Sequence, residues 1–484
     1  MIFLPFLAPG HMLPMVDMAR LFSSHGVTVT IITTTFNAAQ FLKAIDKDIN
    51  SGHKIAIHTV ELPSEETTLP QGTENFTTIS SLAMAGNLFR AMTKLQPQIE
   101  QFIKERSPHC IVSDMYFPWT VDLALSLGIP RLVFHGCSYF ALCCMDTIKR
   151  YAPHTKVTGE AQSFLIPGLP DEIEIMASQL PDYVRTPGGY TLLLDHIREA
   201  DKRSFGVLVN SFYELETAYA DHYTNVTGNK AWHIGPLHQS IKRDTADKAE
   251  RGNEVHVVEH GCLTWLNCKK PNSVLYVSFG SLTHFTSAQL LEIAFGLEAS
   301  GYPFIWVVRK EETMPLEGDE MWLPEGFEER MMENEMGLII RGWAPQMLIL
   351  EHPSIGGFVT HCGWNSTLES VTAGVPMITW PLAAEQFYNE KLISKVLKIG
   401  AEVGVEEWHP LIQAHGYLVT RKKIEKAVTQ LMGVNEEAKE RRKRTEELGE
   451  MAKRAVEEGG SSHVNITSLL NKLRLMQCHV QPVG

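Results

Sequence analysis

The sequence has no uninterrupted apolar run of about 18 residues, the length that a helix needs to span a lipid bilayer. It therefore predicts no membrane span. The apolar N-terminal segment also lacks the basic start of a secretory signal, since no Lys or Arg precedes Arg20 and the apolar run breaks at Pro9-Gly10-His11. We interpret this segment as a buried first strand and expect a cytoplasmic protein.

Basic residues are fewer than acidic ones. The chain has 43 Lys and Arg against 56 Asp and Glu, which gives a net charge of −13. Nucleic acids and anionic membranes bind basic faces, so this balance argues against either partner. It does not argue against a diphosphate ligand, because backbone dipoles hold phosphate groups without net positive charge.

Patterns typical of metal sites and disulfide frameworks are absent as well. The eight cysteines are scattered and none forms a C-x-x-C pair, so the sequence predicts neither a zinc site nor a disulfide framework. Asp46-Lys47-Asp48 is a D-x-D match, but it lies in a charged, helix-like segment beside Lys43. We expect buried thiols in a reducing compartment and no metal.

What the sequence does contain is a regular alternation of strand and helix patterns. Such alternation predicts βαβ units, parallel sheets and an α/β fold. Strand-like apolar runs lie at residues 2–7, 27–34, 54–62, 110–113, 131–134 and 207–210, and again at 274–278, 304–308, 338–342, 357–360 and 377–380. Helical patterns lie between them, for example at 12–22 and 79–104.

The length of the chain predicts more than one domain. With 484 residues it is too long for one core, so two domains are expected, and the charged stretch 240–259 is predicted to link them. The predicted domains are Rossmann-like, each with a doubly wound parallel sheet, at 1–239 and 260–457. A last helix is predicted at 458–484.

The most informative stretch runs from residue 343 to residue 386. Within it, residues 356–360 have a buried-strand pattern, residues 361–366 are polar, and a helical run follows. Ser366 and Glu369 have the spacing of a capping box, which predicts that the helix begins there. A helix N-terminus behind a glycine-containing turn presents backbone N–H groups and a positive dipole end, which together form a seat for phosphate.

This 44-residue stretch resembles the signature of plant secondary-product UDP-dependent glycosyltransferases. The match runs from WAPQ through HCGWNS to Glu385-Gln386, and FLAPGHMLP, IVSD, VLYVSFGS and GGSSH extend it over nearly the whole chain. The resemblance implies a GT-B fold, in which two Rossmann-like domains face each other across a cleft and the last helix crosses back to the first domain. It implies a monomeric enzyme that moves a sugar from a UDP-sugar to a small lipophilic acceptor without metal or other cofactor.

Two residues of the first half are candidates for proton transfer. His11 follows the first predicted strand and Asp114 ends another, so they meet if those strands are neighbours where the strand order reverses. A carboxylate bonded to one ring nitrogen fixes the tautomer and raises the basicity of the other, which suits removal of an acceptor proton. A solvated loop histidine and a helix-capping Asp114 are the alternatives. The resemblance assigns GHM and VSD to the family's base and its orienting acid.

The reaction implied by the resemblance is direct displacement with inversion at the anomeric carbon. No pair of flanking carboxylates, which glycoside hydrolysis needs, stands out. The loop at Gly10-His11 lacks the G-x-G-x-x-G of a dinucleotide-dependent oxidoreductase, and the G-x-S-x-G of a serine hydrolase is absent. A non-catalytic nucleotide-sugar binder is the remaining alternative. Such a protein is expected to have lost His11 or Asp114, and both are present.

On the donor side, the resemblance assigns a contact to each matching position. Trp343 stacks on uracil, Ala344 and Gln346 bond its edge, Glu369 holds the ribose hydroxyls, His361, Asn365, Ser366 and Ser281 contact the diphosphate, and Trp364, Glu385 and Gln386 bind the sugar. Simpler roles stay open for several of them: a core aromatic, a capping box, a turn residue and a first-turn complement to the helix dipole.

The acceptor is expected on the first domain, whose connecting segments supply apolar side chains for a broad skeleton. Trp119, Ser138 and Tyr139 are candidate contacts. HGCSYF, FLIPGLPD and VNSFYELE most resemble the legume triterpenoid saponin branch, which implies a triterpenoid aglycone or its glycoside, with flavonoids as the alternative. Gln386 resembles glucose-using members, while UDP-xylose, UDP-galactose and UDP-glucuronate stay open as donors.

Overall fold

A computed structural model describes residues 1–63, 68–70, 72–241, 245–249, 258–309, 322–410 and 418–478 of the chain. They form two α/β units. The first unit comprises Met1–Cys143, Pro187–Lys242 and Ala452–Gly484, and the second unit comprises Cys144–Thr186 and Arg243–Met451.

The strands are short and rich in Val, Ile and Leu. They are β1 (Ile2–Leu4), β2 (Val29–Thr34), β3 (Ile55–Val60), β4 (Ile111–Asp114), β5 (Arg131–Phe134), β6 (Ser163–Ile166), β7 (Ile173–Met176), β8 (Gly206–Val209), β9 (Ala231–His233), β10 (Val274–Ser278), β11 (Phe304–Val308), β12 (Gly337–Arg341), β13 (Ile355–Thr360), β14 (Met377–Thr379) and β15 (Gly400–Glu402).

Each unit is built on a parallel sheet. The first unit has seven strands in the order β3-β2-β1-β4-β5-β8-β9, and the second has six in the order β12-β11-β10-β13-β14-β15. Every residue of β4, β5, β8, β10 and β13 is buried, as is typical of parallel strands covered on both faces. An antiparallel hairpin, β6–β7, is also part of the second unit.

Helices connect the strands. They are α1 (Pro9–Ser24), α2 (Thr35–Ala39), α3 (Leu42–Asn50), α4 (Leu82–Lys94), α5 (Gln96–Arg106), α6 (Thr120–Ser126), α7 (Tyr139–Tyr151), α8 (Asp182–Arg185), α9 (Gly189–Lys202), α10 (Thr217–Thr227), α11 (Leu237–Ser240), α12 (Thr245–Ala249), α13 (Val258–Asn267), α14 (Ser287–Ser300), α15 (Phe327–Glu333), α16 (Gln346–Leu350), α17 (Trp364–Thr372), α18 (Gln386–Lys391), α19 (Arg421–Met432), α20 (Glu436–Val456) and α21 (Ser461–Cys478). Short 3-10 helices lie at Phe76–Thr78, Pro153–Lys156 and Ala177–Gln179, and a π-helical turn lies at Leu392–Val396.

The last helix belongs to the core of the first unit. Apolar residues of α21, among them Leu469 and Leu473, are buried in the same cluster as Phe3 of β1. At its start, the Ser462 hydroxyl donates to the carbonyl of Gly235, with an O···O distance of 2.5 Å. The last helix is thus part of the first unit.

The predicted fold class, two parallel-sheet α/β units, is confirmed. The strands β6, β7, β9 and β15 were not predicted, since they have only three or four residues each and too little apolar pattern. The predicted helix at 79–104 is wrong in one respect, because it divides into α4 and α5 where Pro97 enters the first turn of α5. The predicted cleft between the domains stays a prediction.

The two units differ from the predicted domain bounds in two segments. Residues 452–457 group with the first unit rather than with residues 260–457. Residues 144–186 group with the second unit rather than with residues 1–239. Side chains just after the β6–β7 hairpin explain this, because Ser178 Oγ donates to Glu406 O at 2.5 Å and Gln179 Nε2 donates to Val405 O at 3.0 Å. Much of the predicted linker at 240–259 lies outside the described residues, and the bounds of the functional domains stay a prediction.

Within the described ranges, no helix combines the length and the apolar character that crossing a bilayer requires.

A substitution at Gly206 tests the packing of the first sheet. A Cβ at this position would lie 2.6 Å from the carbonyl oxygen of Lys230 and would collide with the ring of Trp232. Gly206→Ala is therefore expected to destabilise the first unit by about 1–3 kcal/mol and to lower the midpoint of thermal unfolding. Gly189→Ala is the control, because a Cβ there meets nothing within 4 Å. Equal midpoints for the two variants would contradict this packing.

Candidate active site

In the first unit, a histidine and an aspartate meet at the carboxyl edge of the sheet. Strands β1 and β4 are neighbours, with Leu4 in register with Ser113, and the strand order reverses between them. Asp114 is the last residue of β4. His11 was predicted on the loop after β1, but it lies in the first turn of α1, because that helix already begins at Pro9, a residue favoured at the first helical position.

The two side chains are hydrogen-bonded. His11 Nδ1 lies 2.8 Å from Asp114 Oδ2, and Asp114 Oδ1 accepts from the backbone N–H of Tyr116 at 3.1 Å. The Asp114 side chain is fully buried, whereas the His11 side chain is 24% exposed. Since a carboxylate only accepts, a neutral His11 ring carries its proton on Nδ1 and its lone pair on Nε2. The pair is therefore set up to remove a proton from a bound hydroxyl.

A buried cation lies behind this pair. Arg131 Nε donates to Thr120 Oγ1 at 2.9 Å and to Ser113 Oγ at 3.0 Å. Ser113 directly precedes Asp114 in the sequence. Burial lowers the pKa of the Arg131 guanidinium, while the carboxylates of Asp201 and Asp114 act to raise it. Because a guanidinium keeps its charge in proteins, Arg131 places a positive charge behind the His11–Asp114 pair.

An aromatic cluster surrounds the His11 ring, and sequence reasoning missed it. Phe6 packs edge-on against His11 with ring centroids 5.4 Å apart, and the Tyr116 ring lies 4.3 Å from Phe6 and 5.6 Å from His11. Phe76 and Phe89 pack on Phe6 at 5.0 and 5.5 Å. The signal was available, because Phe6 and Tyr116 each follow a strand at the same sheet edge as the pair.

The three predicted acceptor contacts differ in how far they are buried. Ser138 is fully buried and its hydroxyl accepts from the N–H of Ala141 at 2.9 Å, so it caps α7. Tyr139 is 1% exposed and lies 5.8 Å from the ring of Tyr223, and burial raises the pKa of its phenol. Both side chains lie in the core, and the predicted contacts of these two residues with an acceptor stay predictions. Trp119 is partly exposed and its role stays a prediction.

In the second unit, the glycine-containing turn after β13 leads into α17 as predicted, but the predicted start of the helix is wrong. Its N-cap is Gly363 and its first residue is Trp364, so Ser366 is the third helical residue. The Ser366 hydroxyl accepts from Gln346 Nε2 at 3.1 Å and does not cap the helix. The first N–H groups of a helix have no intrahelical acceptor, so this turn presents donors and a positive dipole end to an anion.

His361 is held as a neutral ring beside that turn. Burial lowers its pKa from 6.5 to about 4. Glycines allow the close fit, because a Cβ at Gly280 would lie 2.7 Å from His361 Cε1 and one at Gly363 would lie 3.0 Å from the same atom. Among the described residues, the buried His361 Nδ1 has no hydrogen-bond partner. The ring can therefore offer a donor at this edge of the sheet without carrying a charge.

The predicted nucleoside contacts are linked to one another. Gln346 Nε2 donates to Glu369 Oε2 at 2.7 Å, and Gln346 Oε1 accepts from the hydroxyl of Tyr276 at 3.3 Å. The Gln346 side chain is thus hydrogen-bonded within the protein, and its backbone N–H donates to Ala344 O at 2.8 Å. Glu369 is 6% exposed and Ala344 is 7% exposed, whereas Trp343 is partly exposed.

The predicted sugar contacts are also bonded within the second unit. Gln386 Oε1 accepts from the backbone N–H groups of Leu382 and Ala383, both at 2.9 Å, so its carbonyl oxygen fixes the loop before α18. Glu385 Oε1 accepts from Asn389 Nδ2 at 3.3 Å. Trp364 is 2% exposed, so it is buried in the second unit.

The remaining predicted diphosphate contacts, Ser281 and Asn365, are partly exposed. A cation missed by the sequence reasoning lies beside Ser281, because Arg309 Nη1 donates to Ser281 O at 3.0 Å. The ligand-binding roles of all these residues stay predictions. The described part of the chain holds no cluster of three or more His, Cys, Asp or Glu arranged for a metal ion.

Comparison with known proteins adds the family context. The family model described as "UDP-glucoronosyl and UDP-glucosyl transferase" matches residues 255–414. The "UDP-glucosyl transferase 73CC6" of Saponaria officinalis is 51% identical, over 98% of this chain and 96% of its own length. The "UDP-glucose flavonoid 3-O-glucosyltransferase 7" of Fragaria ananassa is 50% identical, over 97% and 95% respectively.

A solved structure is similar over almost the whole chain. It is the crystal structure of Glycyrrhiza uralensis UGT73P12 in complex with glycyrrhetinic acid 3-O-monoglucuronide. It is 44% identical, covers 99% of this chain and 96% of its own, and superposes with a TM-score of 0.92.

The neutral His361 ring gives a test of its predicted contact with a diphosphate. An adjacent anion raises the pKa of an imidazole from the value of about 4, so UDP binding near pH 5 is expected to take up a proton. Calorimetry in buffers of different ionisation enthalpy measures this uptake. His361→Asn should reduce it and His352→Asn, in the same unit, should not. Equal uptake by wild type and His361→Asn would contradict the contact.

Proposed function

Because the chain belongs to the plant UDP-glycosyltransferase family, we propose that it transfers glucose from UDP-glucose to a hydroxyl or carboxyl group of a triterpenoid aglycone or triterpenoid glycoside. Membership of the family makes the chain an enzyme of this class with a GT-B type fold. The donor sugar, the acceptor and the roles of individual residues are our proposal.

The observation that carries the proposed chemistry is the His11–Asp114 hydrogen bond. His11 Nε2 takes the proton of the acceptor hydroxyl, and the oxygen attacks the anomeric carbon from the face opposite UDP. The bond between that carbon and the phosphate oxygen breaks, UDP leaves with the electron pair, and the configuration inverts. Asp114 stabilises the imidazolium that forms, and the proton then passes to solvent.

The donor is proposed to lie at the carboxyl edge of the second sheet. The N-terminus of α17, the neutral His361 ring and Ser281 would hold the diphosphate, so that fixed dipoles stabilise the leaving group without a metal. Glu369 would accept from the ribose hydroxyls. Glucose is supported by Gln386 and by the 51% identity to a protein named as a glucosyl transferase.

The acceptor is proposed to lie against the aromatic cluster of Phe6, Phe76, Phe89 and Tyr116. Such a surface suits a broad lipophilic skeleton with its reacting hydroxyl at His11. A triterpenoid glycoside is supported by the ligand of the Glycyrrhiza uralensis structure. A flavonoid is the second candidate, because the relative from Fragaria ananassa is named for that class. We further propose that the enzyme is a cytoplasmic monomer.

A donor-by-acceptor assay with mass detection tests the proposal. UDP-glucose, UDP-xylose, UDP-galactose and UDP-glucuronate are each paired with triterpenoid and flavonoid aglycones and glycosides, with and without a chelator. Glucose transfer to a triterpenoid that is insensitive to the chelator is expected. Turnover of flavonoids alone would replace the acceptor class, a strict metal requirement would contradict the metal-free account, and no transfer from any donor would favour a non-catalytic binder.

Replacing the proposed base separates catalysis from donor binding. His11→Ala is expected to lower kcat by about 10²–10⁴-fold, because the acceptor proton loses its base, while the Kd for UDP measured by calorimetry stays unchanged. His25→Ala, just beyond the other end of α1, is the matched control and should keep wild-type turnover. Wild-type turnover by His11→Ala would remove the assignment of the base.

A further inference from the structure

A tyrosine of the central strand β10 is connected to the predicted ribose-binding carboxylate. The Tyr276 hydroxyl donates to Gln346 Oε1 at 3.3 Å, and Gln346 Nε2 donates to Glu369 Oε2 at 2.7 Å and to Ser366 Oγ at 3.1 Å. Tyr276 is 1% exposed, and its ring stacks on Phe358 of β13 with centroids 5.0 Å apart and planes inclined by 20°. The start of this hydrogen-bonded chain is therefore fixed by the sheet.

The hydrogen bonds of Gln346 determine the orientation of its side-chain amide. A carboxylate only accepts hydrogen bonds, so Glu369 needs the nitrogen end of the amide facing it. In that orientation the amide oxygen faces Tyr276 and accepts its hydroxyl proton. If the amide were reversed, its oxygen would lie against the Glu369 carboxylate and the hydrogen bond to Glu369 would be lost. Tyr276 thus stabilises the orientation in which Gln346 donates to Glu369.

A donor at this position matters because Glu369 is 6% exposed. A buried carboxylate depends on hydrogen-bond donors for its charge and for its direction, since few water molecules reach it. Gln346 bonds one oxygen, Oε2, from the side of the protein. This hydrogen bond helps to orient the carboxylate before any ligand binds.

We infer that Tyr276 is a positioning residue for the donor nucleotide: through Gln346 it orients the Glu369 carboxylate toward the ribose hydroxyls and so favours ribonucleotides over 2′-deoxyribonucleotides. This inference rests on the proposed ribose contact of Glu369. It adds Tyr276, which in the sequence resembles an ordinary core residue of a strand, to the residues that shape the proposed donor site. It also gives the Gln346 side chain a role other than contact with uracil.

The test is the affinity for UDP and 2′-deoxy-UDP, measured by calorimetry on wild type, Tyr276→Phe and Glu369→Ala. Tyr276→Phe keeps the ring on Phe358 and removes only the hydroxyl. It is expected to weaken UDP by roughly 3–10-fold and 2′-deoxy-UDP by less than about twofold, so the preference for UDP narrows. Gln346→Met, which removes the amide, should act in the same direction. Tyr302→Phe is the control. Tyr302 lies just before β11, at the amino ends of the strands, and the variant should bind both nucleotides as wild type does.

The outcomes separate the inference from its premise. If Glu369→Ala leaves the preference for UDP unchanged, the ribose contact is wrong and the positioning role falls with it. If Glu369→Ala narrows the preference but Tyr276→Phe does not, the ribose contact stands and the role of Tyr276 is overturned. An equal loss of both nucleotides in Tyr276→Phe would indicate a general structural effect and would also overturn it.

Discussion

The hydrogen bond from His11 Nδ1 to Asp114 is the interaction on which the proposed chemistry depends, and the sheet of the first unit creates it. The reversal of strand order places the end of β4 beside the end of β1, so two residues that are 103 positions apart meet at 2.8 Å. The carboxylate is fully buried and accepts from a backbone N–H as well, which fixes its direction. Nε2 is then the ring nitrogen that the proposed chemistry uses.

The second unit is proposed to hold a diphosphate, although the chain has a net charge of −13. Its predicted donor edge relies on neutral donors: a helix N-terminus behind Gly363, an imidazole with a pKa of about 4, and amide side chains. Fixed dipoles of this kind need no reorganisation when charge develops on a leaving group. The hydrogen bonds of Gln346 and Gln386 to their own unit indicate that several family-signature side chains build the site as well as face it.

The sequence predicted the features that periodicity and motifs encode. Alternating patterns predicted most strands of both sheets. The positions of His11 and Asp114 at the ends of predicted strands, together with the family resemblance of GHM and VSD, led to the His11–Asp114 contact. Features set by tertiary contacts were missed. Ser366 and Glu369 have the spacing of a capping box. The Ser366 hydroxyl instead accepts a hydrogen bond from Gln346, which is 20 residues away in the chain. Ser138 and Tyr139 look like ligand contacts but are core residues, and Phe6, Tyr116 and Tyr276 look like core residues although they lie beside functional groups.

The tautomer of His11 is the most direct test of the central claim. Nitrogen-15 spectra of histidine-labelled protein, with the His11 signals assigned by comparison with His11→Gln, distinguish the protonated ring nitrogen from the one that bears the lone pair. The account predicts that neutral His11 carries its proton on Nδ1, facing Asp114, and leaves Nε2 unprotonated. A proton on Nε2 in the neutral ring would contradict the assignment of His11 as a base oriented by Asp114.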